Sequence, residues 1–211
     1  MPATESLLEA FLPEYDVSDT VACVVVADVA TTWAALEEAD LIKVGREHPL
    51  VAALGFARIL PELAIHLLHG ERMTDEPETL RLKETTELPA AKGGWVLLGE
   101  RRNQELALGL VGKFWRPVIE YAQVQPEHFR DFSEPGWAKT IYCLGVSPIE
   151  GGRTLLSGTM RTTTTDERAR RWFRRYWTLG VGSGAHVLVN GLLDVVRRQA
   201  EAATATEMVE A

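Results

Sequence analysis

Glu62, His66 and His69 stand at i, i+4 and i+7, so one face of a helix could present three metal ligands. Zinc accepts one carboxylate and two imidazoles in catalytic sites. No HExxH pattern and no fourth ligand accompanies them, and the same histidines suit a plain helix end before Gly70, where the dipole is negative. No metal is therefore expected. Glu100, Tyr142, Thr159 and Arg161 form a second group, each on an expected strand. A general acid or base closed into an apolar cavity has a displaced pKa and could enolise or dehydrate a ketide. His128 and His186 are single histidines, read as satisfied or exposed side chains. No GxGxxG, P-loop, nucleophile elbow or Cys–His signature occurs, so no cofactor is expected.

The third group alternates charge with rings. Arg168, Arg170, Arg171, Arg174 and Arg175 surround Trp172, Phe173, Tyr176 and Trp177. Such a run could contact nucleic acid or phosphate. The whole chain decides against it: 22 basic against 30 acidic residues leave a net charge of −8, which repels phosphate and anionic membranes. The arginines then read as the solvated arc of an amphipathic helix. Trp95, Phe114, Trp115, Trp137 and the rings of that helix either line a pocket or fill a core. The set expected on the interior face, and so against a bound ligand, is Leu106, Leu108, Leu110, Phe114, Tyr142, Leu144, Trp172 and Tyr176.

The elements that must carry these groups follow from periodicity. With 211 residues, 46% of them hydrophobic and 25% charged, the chain is one globular domain. Residues 1–18 read as a lead-in segment with a small helix, 19–199 as the domain and 200–211 as a flexible tail. A β-branched run over 19–27 predicts a strand, and Thr31 or Thr32 can cap the helix that follows. A second helix is expected over 49–68, kinked at Pro61. Strands are expected at 80–88, 95–99, 105–115, 118–121, 137–146 and 153–165, with Gly109 and Gly112 as bulge or bend sites and 148–152 as a turn. From Thr165 the period becomes helical, and glycines at 180, 182 and 184 make this one bent helix or two with a hinge.

This order predicts an α+β fold: a curved antiparallel sheet of six or seven strands, one face covered by a long C-terminal helix, with two shorter helices after the first strand. Between sheet and helix a concave apolar gap is expected. Cys23 and Cys143 read as buried free thiols of a reduced compartment. The first residues lack a basic leader, and no run approaches the roughly 18 apolar residues a membrane helix needs, so a cytoplasmic protein is expected.

Four motifs carry a resemblance: D-T-V-A-C-V-V-V-A-D-V-A-T-T-W-A-A-L at 19–36, G-L-V-G-K-F-W-R-P at 109–117, E-P-G-W-A-K at 134–139 and R-R-W-F-R-R-Y-W at 170–177. Together they resemble the START-like, or SRPBCC, superfamily, in a bacterial polyketide cyclase/dehydrase-like or Bet v 1-like branch. Trp33, Ala35 and Leu36 match its helix start, with Asp28-Val29 standing where the superfamily has Ala-Pro. The resemblance covers about residues 19–198. It implies the helix-grip fold, which hosts binders, transfer proteins and enzymes alike. The leading expectation is binding of a small hydrophobic molecule, such as a lipid, polyketide or aromatic compound, with a homodimer allowed. The alternatives are an aromatase/cyclase-type enzyme working by acid–base chemistry in the same cavity, and a structural or partner-binding module whose cavity has collapsed.

Overall fold

The computed structural model describes residues 5–42, 44, 81–86 and 94–210. The candidate ligands Glu62, His66 and His69, and the expected helix over 49–68, lie outside them.

A short helix α1 (Leu7–Phe11) leads into strand β1 (Val17–Val25) and helix α2 (Val29–Glu37). The cap of α2 is Asp28, not Thr31 or Thr32: its carboxylate accepts from the Thr31 N–H at 2.7 Å. That hydrogen bond holds the Asp28 carboxyl below its usual range. Asp28 therefore starts the helix with a side-chain cap, just ahead of Val29 in the first turn. Trp33 and Leu36 are fully buried.

Strands β2 (Val96–Arg101), β3 (Glu105–Gly112), β4 (Ala138–Ile149) and β5 (Arg153–Thr164) follow, with a one-turn helix α3 (Pro126–Phe129) between β3 and β4. They form one open antiparallel sheet in the order β1-β5-β4-β3-β2. Among the described residues the sheet has five strands, where six or seven were expected. Within the expected strand at 80–88, residues Lys83–Thr86 form a 3₁₀ turn, and the expected strand at 118–121 contributes only a bridge from Tyr121 to Gly112. The tight β4–β5 turn uses Gly151 and Gly152 at φ of +80° and +68°, a conformation glycine takes at no steric cost. The bulge falls in β2, between Leu97 and Gly99, rather than at Gly109 or Gly112. The extra residue leaves Leu98 and Gly99 both on the side of Leu7.

Both faces of the sheet are covered. On the inner face, Val25, Leu106, Leu108, Leu144, Val146 and Leu156 pack against Val189, Leu192, Leu193 and Val196 of the last helix. On the outer face, α1, α3 and the chain around them bury Leu98, Ala107, Val111, Ile141 and Cys143 under Leu7, Leu12 and Phe129. The lead-in segment is therefore a second layer. Arg161 ties it down: it pairs with Glu9 at 2.7 Å, donates to the Leu12 carbonyl at 3.2 Å and lies over the Tyr15 ring.

The C-terminal chain is two helices with an elbow. Helix α4 (Glu167–Tyr176) is capped by Asp166, which accepts from the Ala169 N–H at 2.8 Å. Asp16 anchors its first turn to the sheet, accepting from the Thr164 N–H and Oγ1–H at 2.8 and 2.6 Å and pairing with Arg170 at 2.8 Å. A π-helical turn (Trp177–Val181) then leads to α5 (Gly182–Glu210), and the two helices differ in direction by 65°. Gly182 permits this bend, since a Cβ there would stand 2.7 Å from the Trp177 ring. Helix α5 continues through Glu210, within the residues 200–211 expected as a loose tail. Among the described residues no single helix is long and apolar enough to cross a membrane.

Candidate functional site

Strand alternation puts every second side chain on the inner face. Register pairs Leu106 with Leu144, Leu108 with Tyr142 and Leu110 with Thr140. Five of the eight expected interior residues are thereby brought to one patch: Leu106, Leu108, Leu110, Tyr142 and Leu144. The four leucines are all buried. Phe114 leaves the end of β3 and folds back over Gly112, its ring 2.9 Å from where a Cβ would be.

Tyr142 differs from its neighbours. It stands edge-on to Trp95, centroids 5.2 Å apart at 82°. It sits deep in the protein, yet part of its surface stays open. Burial pushes its phenol well above the usual range, and the nearby Tyr176 and Asp19 push the same way. Across the sheet the register runs Tyr142, Met160, Asp19. Asp19 Oδ2 in turn lies 2.9 Å from Nδ1 of His186, in the first turns of α5. The sheet, the elbow and α5 thus gather a phenol, a carboxylate–imidazole pair and the rings of Trp95 and Tyr176. The pair is half exposed, at 28% for Asp19 and 50% for His186, so it forms a rim while Tyr142 forms the floor. One row further along, the buried hydroxyls of Thr140 and Thr162 bond each other.

Trp172 does not join this group. It is 48% exposed and carries the Arg175 guanidinium 5.4 Å from its ring. The buried stripe of α4 is Ala169 and Phe173, with Tyr176 beside Phe173 at 6.3 Å. Trp172 precedes Phe173 by one residue, a 100° rotation, and so faces away. The strand polar groups also separate. Arg161 and Thr159 belong to the outer face, Arg161 in the tie described above and Thr159 in a hydroxyl pair with Thr20 at 3.1 Å. Glu100 and His128 are exposed. Asp19 was not singled out by the sequence. Its only signal was a charge opening an apolar strand run, which also fits a plain strand end.

Two further clefts open on the outer face. One, of about 350 Å³, lies between the segment after α1 and residues 130–133, with Lys139 and Thr163 in its wall. Lys139 is buried, donates to the Arg130 carbonyl at 2.6 Å and has its pKa lowered by desolvation. The other, of about 390 Å³, is lined by Glu105, Cys143, Ser157 and Thr159. Neither lies between the sheet and α5, where a hollow was expected. At Gly158 α5 rests directly on the inner face, with Val189 Cγ1 2.6 Å from the place of a Cβ. The buried indole N–H of Trp33 has no hydrogen-bond acceptor among the described residues.

Among the described residues no group of three His, Cys, Asp or Glu side chains is placed to hold a metal ion. No family model, no curated protein and no solved structure matches the chain.

Proposed function

We propose that this chain is a helix-grip protein of the START-like kind that binds a small, largely apolar molecule carrying one polar group. The molecule lies against the inner face of the sheet beneath the α4–α5 elbow. Trp95, Leu108 and Tyr142 contact its apolar body, with Tyr176 alongside. The Tyr142 hydroxyl and the Asp19–His186 pair orient its polar end. A reduced, cytoplasmic setting suits the two free thiols.

One observation carries this reading: Tyr142 stands edge-on to Trp95, centroids 5.2 Å apart, in an apolar patch with Leu106, Leu108 and Leu144, and part of its surface is open. A ligand hydroxyl or carbonyl at that open surface would bond the phenol. Apolar contact would provide most of the affinity, at about 25 cal/mol per Å² buried. Native mass spectrometry of the purified protein tests it directly. Co-purified apolar adducts, or saturable binding of a fluorescent fatty-acid probe, are expected. A clean apo mass with no probe response rejects it in favour of the module with a collapsed cavity.

The Asp19–His186 contact favours one further reading. A carboxylate holding one imidazole nitrogen fixes the ring's tautomer and leaves the other nitrogen free for proton transfer. Beside the Tyr142 phenol this is an acid–base set of the kind an aromatase/cyclase needs. Turnover of a poly-β-keto substrate, abolished in His186→Ala, distinguishes the enzyme from the binder.

A further inference from the structure

From Arg168 to Leu193 the chain contains five arginines and no acidic residue, although the whole protein is net −8. The ion pairs of this stretch leave most of that charge open. Arg170 is paired with Asp16 and Glu167. No ion pair is found for Arg171, Arg174 or Arg175 among the described residues. At spacings of four, three and four, Arg168, Trp172, Arg175 and Leu179 fall on one side of α4 and its elbow. All four are exposed, Trp172 by 48% and Leu179 by 84%. An aliphatic side chain this open has no role in packing, and a tryptophan beside it is amphipathic: apolar ring, polar N–H.

We propose that this elbow docks on an anionic lipid surface, with Leu179 and Trp172 entering the headgroup boundary and Arg168, Arg171, Arg174 and Arg175 meeting lipid phosphates. The geometry is that of an interfacial amphipathic element, apolar anchors flanked by cations. Leu179 argues for lipid over nucleic acid. A base can stack on Trp172, but an open leucine contributes nothing on a phosphate backbone. The net negative body opposes general adsorption, so contact is restricted to this local patch. The docking surface does not depend on the ligand reading, although it would place the elbow and the Tyr142 site beside the same membrane.

The test is sedimentation of the full chain with vesicles of phosphatidylcholine, with and without phosphatidylserine. Binding to the phosphatidylserine vesicles, weakened by salt, is expected. Each Arg→Gln at 171 or 175 should lower vesicle affinity about fivefold, at about 1 kcal/mol per basic residue near such a surface. Leu179→Asp should abolish binding while circular dichroism and thermal midpoint stay as in the parent, since the side chain packs on nothing. Brominated lipid should quench tryptophan fluorescence, and Trp172→Phe should remove that quenching. Absence of pelleting at low salt overturns the proposal. So does pelleting indifferent to Leu179→Asp and to the arginine variants, or binding to a single-stranded oligonucleotide in place of vesicles. Fatty-acid probe binding, measured in the same samples without vesicles, reports on the ligand site separately.

Discussion

The carboxylate of Asp19 and the imidazole of His186, 167 residues apart in the chain, meet at 2.9 Å and join the first strand to the start of the last helix. The contact fixes where α5 begins over the sheet. It also puts two polar groups at the edge of an apolar patch whose centre is Tyr142.

Because the pair is half exposed, its loss should cost at most about 1 kcal/mol of stability. Urea denaturation of Asp19→Asn and His186→Ala measures this. Their effect on a bound apolar probe should be larger, a several-fold loss of affinity. Unchanged affinity in both variants would remove the pair from the site.

Tyr142→Phe separates the floor of the site from the core. It deletes one hydroxyl and keeps the ring against Trp95, so the unliganded protein should stay within about 1 kcal/mol of the parent. Affinity for a ligand with a polar head should fall, and affinity for a pure hydrocarbon should not. A clear destabilisation of the unliganded variant would mean that the phenol has a structural partner, and the proposed role would fail. A spectrophotometric alkaline titration should also lose a late-ionising tyrosine in this variant, because burial raises that phenol.

Two glycines report on the two faces independently. A Cβ at Gly158 would stand 2.6 Å from Val189 Cγ1, and one at Gly109 would stand 2.7 Å from the Phe129 ring and 2.8 Å from Leu98. Gly158→Ala must push α5 off the inner face, and Gly109→Ala must push α3 off the outer face. Each should lose about 1–3 kcal/mol through overpacking. Gly158→Ala should also weaken probe binding, whereas Gly109→Ala should leave it intact. Equal stability of Gly158→Ala and the parent would show that α5 does not rest on the sheet there.

Alkaline pH should expose the Cys143 thiol through stability. Burial first, then the Glu105 carboxylate, pushes its pKa from the ordinary 9.0 up to about 12. A raised folded-state value favours the folded protein below the unfolded pKa and withdraws that preference as pH climbs toward the folded one. The parent should therefore lose stability between about pH 9 and 12 more steeply than Cys143→Ala, in denaturant melts compared at matched pH. Near neutral pH Cys143 should resist alkylation until the protein unfolds, since the thiolate is the reactive form. Parallel slopes for the two proteins would contradict this.

The local elements were legible because their causes are local. Alternation over 105–112 and 138–149, glycines at 151 and 152 and an acidic cap at 166 all act within a few residues, and each strand appears within a few positions of its expected span. The inner patch of Leu106, Leu108, Leu110, Tyr142 and Leu144 followed from the same period of two. Trp172 was misplaced because on a helix this aromatic-rich a shift of one residue moves a ring by 100°, and the sequence offers Trp172 and Phe173 equally. Asp28 was overlooked as a cap because two threonines stand just behind it.

What the sequence by itself determined is the run of strands, the amphipathic C-terminal helix and which side chains share a strand face, since these depend on backbone period and turn chemistry. Only the tertiary structure decided how many strands pair, that α1 and α3 bury the outer face, that the chain bends 65° at the π turn, and that Asp19 reaches His186. Those outcomes depend on contacts between residues far apart in the chain. The free energy of such contacts comes from surfaces excluding water together, which no single segment carries in its own pattern.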